Sequence, residues 1–315
     1  MCYSMCMSLF KLPLSIAIAS MSRGDKNFRL KNKTYGNFNV KKDLSYIVDD
    51  SNEHKLDIYS PVENANGITL FCIHGGGYVY GDKMHQDVFV SWFVNKGFTV
   101  VVPNYRLAEK FGSISIVDQV KDCIEALKFV EKEKDYYSIP MDGFFLVGDS
   151  AGGHICLMID ILSKREDVRK YYGLDDMPKL RIDGIALNST MYDYDEVQLL
   201  AKKLLSKKGR RWMFSDKYKD PEFIKMNNPR FYVKDGYRPL PLFASTAYHD
   251  YFSSQSYRLN ADCEKFGIQI DYLYEASPNK NIGHVYNHFH LDENEGIKCN
   301  QRMIEFFLKN SKVAK

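Results

Sequence analysis

Several features that mark special classes of protein are missing from this sequence. No apolar run reaches the roughly 18 residues that a membrane-spanning helix requires. Neither sign of charge dominates, because 43 basic residues stand against 40 acidic ones and leave a net charge of +3. The total charge therefore gives no reason to expect nucleic acid or an anionic membrane as a partner. With 315 residues, 45% of them hydrophobic, the chain is long enough to bury a substantial core.

Cysteine shows no pattern of pairing. The seven cysteines are odd in number and scattered, and none of them belongs to a C-x-x-C pair. This spacing argues against both a disulfide framework and a zinc site, and it favours a reducing compartment. We therefore expect a cytoplasmic protein without a bound metal.

The N-terminal segment, residues 1–40, admits two interpretations. The stretch "LPLSIAIAS" is short and apolar and contains an A-x-A pattern like that of a signal-peptide cleavage site. However, no basic residue precedes Lys11, and Ser15 interrupts the apolar segment. A helix that packs on the domain is the favoured interpretation, while a signal peptide within residues 1–20 stays open.

Strand-like and helix-like segments alternate from residue 44 onward. The strand-like segments are "LSYIV", "KLDIYS", "ITLFCIH", "FTVVVPNY", "GFFLVGDS", "IDGIALNS", "LPLFASTAY" and "IQIDYLYE". Helical patterns occupy residues 88–94, 116–132, 155–163, 253–266 and 296–309. The first two strands look like an antiparallel pair, and the later alternation predicts a mostly parallel sheet with helices on both faces.

One connection is too long for a simple crossover. About fifty residues separate the strand that ends near Asn188 from the strand that begins near Pro241. An insertion of this length at the ligand side of a sheet is a candidate lid. Its basic run, residues 202–211, is interpreted as a solvated helix face, with steering of an anionic substrate as the alternative.

The stretch "LVGDSAGG", residues 146–153, carries the strongest chemical signal. It contains G-x-S-x-G centred on Ser150, directly after an apolar strand and directly before a helical pattern. A sharp strand-to-helix turn in this context projects the serine hydroxyl above the sheet and requires glycine beside it. The sequence thus predicts that Ser150 is a nucleophile.

A serine nucleophile needs a base and an acid that orients the base. The expected chain order is Ser, then Asp or Glu, then His. Asp250 follows the strand "LPLFASTAY", and His284 lies in the loop after the next strand. We favour these two residues, although His288 and His290 in "GHVYNHFH" are rivals for the base.

The run "HGGG", residues 74–77, lies at the end of a buried strand, and three consecutive glycines at this place need a physical reason. Attack by a serine on a carbonyl creates an oxyanion, which backbone N–H groups stabilise strongly. The N–H groups of Gly75 and Gly76 can approach a ligand without a Cβ in the way, and that of Ala151 follows the nucleophile. We predict an oxyanion hole from these three residues.

The motifs "HGGGYVYGD", "NYRLA" and "GDSAGG", with the later Asp and His, resemble the α/β-hydrolase esterases of the hormone-sensitive-lipase-like group. The resemblance covers roughly residues 45 to 310. It implies an α/β-hydrolase fold with a small helical cap, hydrolysis of carboxylic esters without a cofactor, and a structural role for His74. One departure is "YRLAEK" where the family usually has "YRLAPE", which leaves the local loop shape and the substrate open.

This resemblance sets our expectations for the whole chain. Residues 1–40 form an N-terminal segment and possible cap helix, and residues 41–315 form a single domain with a cap insertion at about 190–235. A small-molecule ester is the expected partner, and the oligomeric state is open. Three tyrosines, Tyr78, Tyr80 and Tyr192, are candidates for a pocket wall that favours short acyl groups such as acetyl.

Two other functions stay open at this point. A catalytically silent binding protein on the same fold would need a missing triad member, and all three members are present in the sequence. A serine peptidase on this fold would need a device that recognises a peptide. We therefore expect a serine carboxylesterase for short-chain esters.

Overall fold

The fold is described from a computed structural model, which covers residues 13–49, 51–109 and 113–313. The first part of the N-terminal segment, residues 1–12, lies outside these ranges, and so does much of the possible signal peptide. Within them, no helix combines the length and the apolar character that crossing a membrane requires.

Eight strands form one sheet in the order β1-β2-β4-β3-β5-β6-β7-β8. The strands β1 and β2 pair antiparallel, as do β2 and β4, and all other neighbours are parallel. The predicted mostly parallel sheet is therefore confirmed. The strands are β1 (Phe38–Ser45), β2 (Lys55–Pro61), β3 (Ile68–Ile73), β4 (Thr99–Pro103), β5 (Gly143–Asp149), β6 (Gly184–Asn188), β7 (Leu242–Ala247) and β8 (Ile270–Glu275).

The first strand differs from its prediction. The segment "LSYIV" overlaps β1 only at its start, because β1 begins six residues earlier, at Phe38, and ends at Ser45. As the edge strand of the sheet, β1 is mostly exposed, so no apolar run marks it in the sequence. Val48, in the predicted segment, is fully exposed and lies outside the strand.

The helices of the described residues cover both faces of the sheet. They are α1 (Leu14–Lys31), α2 (Asp87–Val94), α3 (Ile116–Glu133), α4 (Ala151–Lys164), α5 (Glu166–Tyr172), α6 (Tyr194–Leu204), α7 (Lys207–Phe214), α8 (Pro221–Met226), α9 (Pro229–Lys234), α10 (Ser253–Phe266), α11 (Tyr286–Phe289) and α12 (Asn294–Asn310). Four of them, α6 to α9, occupy the long connection between β6 and β7.

The core lies in two layers, one on each face of the sheet. In β5, Phe144 and Leu146 contribute to the layer under α3 and α4, whereas Phe145 and Val147 contribute to the layer under α2 and α12. Alternate side chains of a strand point to opposite faces, so an apolar run such as "GFFLV" is what a strand buried on both faces requires.

Sheet topology puts a crevice at the ends of two central strands. From β3 the chain moves outward to β4 and then returns past β3 to β5 on its other side. Such a reversal opens a crevice at the carboxyl ends of β3 and β5, where open α/β sheets bind ligands. The "HGGG" run follows β3 and Ser150 follows β5, so both predicted motifs meet at this crevice.

A small cap lies over that crevice. Leu14, at the start of α1, is buried with Val79 and Ala108 from the body of the domain. Trp212 and Met213 of α7 pack against the same cluster, and the indole N–H of Trp212 donates to the backbone oxygen of Ala108 at 2.8 Å. The N-terminal helix and the insertion therefore share one cap layer.

Phe145 provides a test of the layered core. Its ring is fully buried and lies 4.9 Å from the ring of Phe307, measured between centroids. We expect Phe145→Ala to lower the free energy of unfolding by about 3 to 5 kcal/mol, because it leaves a cavity between sheet and helix. Urea unfolding measures the change, and the exposed Tyr136→Ala is the control, with an expected change below about 0.5 kcal/mol. Equal losses in the two variants would contradict the layered core.

Candidate active site

Ser150 occupies a strained turn between β5 and α4. Its backbone has φ 50° and ψ −115°, a conformation that a non-glycine residue adopts only where the surroundings enforce it. A Cβ on Gly148 would approach the backbone of Gly152 and Gly153 to 2.6 Å, and one on Gly152 would overlap the carbonyl oxygen of Ile73. The glycines around Ser150 are therefore required by the close approach of α4 to β3 and β5.

The predicted acid and base lie next to each other. Asp250 follows β7, and its Oδ1 lies 2.8 Å from Nδ1 of His284, which is in the loop between β8 and α11. Thr246 donates its hydroxyl to Oδ2 at 2.8 Å, and the N–H of Phe252 donates to Oδ1 at 2.8 Å. This pair is the arrangement that holds an imidazole in one tautomer and orientation.

Asp250 is ionised in spite of its burial. Burial by itself would raise its pKa, but the charge and hydrogen bond of His284 and the N–H of Phe252 outweigh that effect and bring the pKa below its ordinary value. A buried carboxylate with a low pKa stays available as an acceptor for the imidazole N–H at neutral pH.

The structure places the two rival histidines elsewhere. His288 is buried and stacks on the ring of Phe89 with centroids 3.6 Å apart, and burial lowers its pKa to about 3. His290 lies 2.6 Å from a carboxylate oxygen of Glu293, at the surface. Neither ring contacts Asp250 in the way that His284 does.

The end of β6 connects the serine turn to the histidine loop. The N–H of Ser150 donates to the carbonyl oxygen of Asn188 at 2.9 Å. The hydroxyl of the next residue, Ser189, accepts the N–H of Val285 at 2.9 Å and also forms a hydrogen bond that lowers the pKa of Asp250. One hydroxyl thus joins the loop of the acid to the loop of the base.

Two residues in this connection are strained. Ser189 has φ 51°, and Val285, directly after His284, has φ 55°. A β-branched residue is a clear outlier in the left-handed region. The hydrogen bond between Ser189 and Val285 stabilises the backbone beside His284 in this otherwise unfavourable conformation. Sequence reasoning missed Ser189, although its place at the end of a parallel strand was a usable signal.

The structure corrects the role predicted for Gly75. Its N–H donates to Oδ1 of Asp149 at 3.0 Å and so is not available to an oxyanion. The same oxygen accepts the side-chain amide of Gln86 at 3.2 Å. Burial raises the pKa of Asp149 to about 6, against the opposing effects of the charge of His284 and of these hydrogen bonds. Asp149 therefore anchors the glycine run to the end of β5.

His74 fixes the same run from the other side. Its ring is buried and stacks on Tyr105 with centroids 4.3 Å apart, and Nδ1 lies 2.8 Å from the oxygen of Gly75. Burial lowers the pKa of His74 to about 4, so the ring is neutral and donates one N–H. Tyr105 donates its hydroxyl to the backbone oxygen of His74 at 2.7 Å.

Three backbone N–H groups remain at the crevice. Among the described residues, no acceptor takes up the N–H of Gly76, Gly77 or Ala151. Gly76 and Gly77 have φ 115° and 61°, and a Cβ on Gly76 would overlap the oxygen of Tyr80. The third glycine of the run, Gly77, is thus a better candidate donor than Gly75. The sequence contained this residue, but nothing in it showed that Asp149 would occupy the first glycine.

The three predicted tyrosines have their hydroxyls turned to protein partners. The hydroxyl of Tyr78 lies 2.9 Å from Nδ1 of His154, that of Tyr80 donates to Asp25 of α1 at 2.6 Å, and that of Tyr192 lies 3.2 Å from Asp262. Tyr78 and Tyr192 are buried, and Tyr80 is partly exposed. A role for them in substrate binding stays a prediction.

Comparison with known protein families assigns this chain to one of them. A profile of the BD-FAE family matches residues 56–262, which is about two thirds of the chain. The chain belongs to the BD-FAE family. The expected membership of an α/β-hydrolase esterase family is thereby confirmed, and the matched residues of this BD-FAE protein include Ser150 and Asp250.

Two similar curated proteins are named as a hydrolase and a deacetylase. Alpha/beta hydrolase R526 of Acanthamoeba polyphaga mimivirus is 28% identical over 184 residues, which cover 57% of this chain and 49% of that protein. Arylacetamide deacetylase of Bos taurus is 32% identical over 126 residues, which cover 37% and 31% of the two chains. The BD-FAE chain thus spans less than half the length of these curated relatives.

Solved structures share the complete fold. Esterase B from Lactobacillus rhamnosis (HN001) superimposes with a TM-score of 0.85 at 20% identity, and the match covers 95% of this chain and 94% of that one. At this identity the similarity establishes the fold, and the chemistry has to be argued from the residues themselves.

Ser189 generates a prediction about stability. Ser189→Ala leaves the buried N–H of Val285 without an acceptor, so we expect the free energy of unfolding to fall by about 1 to 3 kcal/mol. Ser245→Ala is the matched control, since Ser245 is equally buried and donates to Asn188 at 2.8 Å without contacting Val285. Hydrogen exchange of the Val285 amide should accelerate in the first variant alone; unchanged exchange there would contradict this role.

Asp149 generates a prediction about pH. Because its pKa is raised in the folded state, the folded protein binds the proton more tightly, and this stabilisation is lost as the pH rises from about 4 through about 6. Asp149→Asn removes the effect. We expect the stability of this variant relative to the native chain to rise by up to about 3 kcal/mol over that range. Urea unfolding at a series of pH values measures it, and a flat difference would show that Asp149 is not perturbed.

Proposed function

We propose that this protein is a serine carboxylesterase that hydrolyses short-chain esters with Ser150, His284 and Asp250. The observation that carries the proposal is the contact of 2.8 Å between His284 and Asp250, on the same sheet edge as the strained turn of Ser150. The names of the relatives, which include a deacetylase, support hydrolysis of acyl groups. A serine in a strained turn at the same sheet edge as an oriented imidazole is suited to nucleophilic catalysis.

The proposed reaction begins with proton transfer. His284 takes the proton of the Ser150 hydroxyl while the serine oxygen attacks the ester carbonyl, and Asp250 stabilises the imidazolium that forms. Collapse of the tetrahedral intermediate breaks the bond to the alcohol, which leaves with the proton from His284. Water then attacks the acyl-enzyme with the same histidine as base, and the acid is released.

The oxyanion is held by backbone N–H groups in this proposal. The N–H of Ala151 lies at the start of α4, where the helix dipole adds positive potential. Gly76 and Gly77 supply the other donors, because Asp149 and His74 fix their run against α4. Loss of one such donor typically costs about 3 to 4 kcal/mol of transition-state stabilisation.

The preference for short acyl groups rests on the cap. A Cβ on Gly77 would lie only 3.2 Å from the terminal methyl of Met213, so α7 comes close to the glycine run. Leu14 and Val79 are buried beside it. A long acyl chain would have to displace these side chains, whereas an acetyl or butyryl group needs little room.

Hydrolysis of p-nitrophenyl esters tests the proposal. We expect activity to peak at acetate or butyrate and to fall at octanoate and laurate. Ser150→Ala and His284→Ala should each lower kcat/KM by about a thousandfold or more, since the triad acts as a unit. His288→Gln, which changes the rival base, should retain activity within about tenfold.

Three results would contradict the proposal or change its details. A folded native chain that hydrolyses no ester would contradict the proposal and favour a silent binding protein. Loss of activity in His288→Gln but not in His284→Ala would move the base to His288. Rates on p-nitroanilides that match those on the esters would instead favour an amide hydrolase or peptidase.

A further inference from the structure

The cap carries a net positive charge that the whole-chain total hides. Residues 13–33 contain five basic residues and one acidic residue, and residues 194–226 contain nine basic and five acidic residues. The net charge of the chain is only +3, so the remainder of the chain is net acidic. The positive charge is therefore concentrated in the two segments that form the cap.

These two segments lie side by side. A Cβ on Gly209 of α7 would lie 3.8 Å from Cβ of Leu14 in α1. Ala17 and Ile18 of α1 pack against the same small cluster as Trp212 and Met213 of α7. Because Met213 of α7 also comes close to Gly77, the two basic segments meet beside the glycine run of the site that contains Ser150.

The outer face of α1 combines apolar and basic side chains. Ile16, Arg23 and Leu30 are all exposed and follow each other at intervals of seven residues, so they lie on one side of the helix. Leu30 is 75% exposed and Ile16 is 45% exposed. Asp25 lies on the inner side of α1 and accepts a hydrogen bond from the hydroxyl of Tyr80, so the side with Ile16, Arg23 and Leu30 faces outward.

The helices of the insertion continue this surface. Leu199 of α6 is 60% exposed, close in sequence to a run of exposed lysines. These lysines are Lys202, Lys203, Lys207 and Lys208. Arg211, which follows these lysines in α7, pairs with Asp216. Exposed lysines attract an anionic lipid surface, and exposed apolar side chains beside them can enter its headgroup region.

An ordinary solvated helix of this protein looks different. On α3, Lys128 pairs with both Glu125 and Asp176, and Lys132 pairs with Glu133. Both signs of charge alternate there, as is usual for a helix face that only meets water. The cap thus differs from α3 in its excess of basic residues and in the exposed side chains of Ile16, Leu30 and Leu199.

We propose that the outer face of the cap docks on an anionic lipid surface. The lysines would supply the electrostatic attraction, about fivefold in binding for each one near the surface, and Ile16, Leu30 and Leu199 would enter the headgroup region. This docking does not depend on the proposed esterase function.

Sedimentation with vesicles tests the docking. The full chain is mixed with vesicles of phosphatidylcholine alone, or of equal parts phosphatidylcholine and phosphatidylglycerol, at low salt. We expect at least tenfold more bound protein on the anionic vesicles, and release by 0.5 M salt. Replacing the four lysines Lys202, Lys203, Lys207 and Lys208 by Glu should lower that binding by at least tenfold.

A matched variant controls for total charge. Lys132, Lys170, Lys309 and Lys312 are exposed and lie outside the cap, and their replacement by Glu should lower binding by less than threefold. Thermal unfolding followed by circular dichroism checks that both variants fold. Because both variants change the total charge equally, weaker vesicle binding by the cap variant alone assigns docking to the cap. Equal loss of vesicle binding in the two variants, or no vesicle binding by the native chain, would overturn the proposal.

Two further measurements distinguish lipid docking from catalysis and from binding of soluble anions. Ser150→Ala protein should bind anionic vesicles as the native chain does, so docking is measured even if the esterase proposal fails. If dextran sulfate binds the native chain as tightly as the anionic vesicles do, the surface serves polyanions. If hydrolysis of a soluble anionic ester depends on the four lysines but vesicle binding does not, the surface serves soluble substrates. Either result would overturn lipid docking. Retained docking of Leu30→Glu would likewise contradict the apolar part of the proposal.

Discussion

The close contact between the backbone of the glycine run and the first turn of α4 is the constraint on which the site depends. Gly152 lies so near the carbonyl oxygens of Ile73 and His74 that no side chain fits between them. This contact brings the end of β3, the turn of Ser150 and the start of α4 into one place. This contact requires glycine at position 152, whereas Gly75 and Gly76 are required by their own close contacts with Asp149 and Tyr80.

Hydrogen bonds to β6 and to its end stabilise the strained backbone of the site. Among the residues with positive φ, Ser150 follows β5, Ser189 follows β6, and Val285 follows His284. Each is tied to β6 or to its end: Ser150 through Asn188, and Val285 through the hydroxyl of Ser189. Since a strained residue persists only where the structure around it is rigid, the fully buried strand β6 is a suitable support.

The sequence allowed much of this site to be predicted, because the rules for strand ends are local. Ser150, Asp250 and His284 were placed from strand, turn and chain order alone, and the mostly parallel sheet followed from apolar runs. What escaped prediction depends on contacts between distant segments. Gly75 could not be separated from Gly77 without the hydrogen bond to Asp149, and β1 was misplaced because an exposed edge strand has no apolar pattern.

Two buried aspartates at the same sheet edge differ in pKa, and the difference separates their roles. Asp149 accepts N–H groups from Gly75 and Gln86. No ion pair among the described residues offsets its burial, which raises its pKa to about 6. Asp250 contacts His284 directly, and that contact brings its pKa below the ordinary value although this carboxylate is buried as well. A carboxylate whose charge is stabilised by an imidazole suits orientation of a base, whereas one that accepts the N–H groups of Gly75 and Gln86 suits a structural anchor. The environment, and not the residue type, therefore distinguishes the proposed catalytic acid from its neighbour.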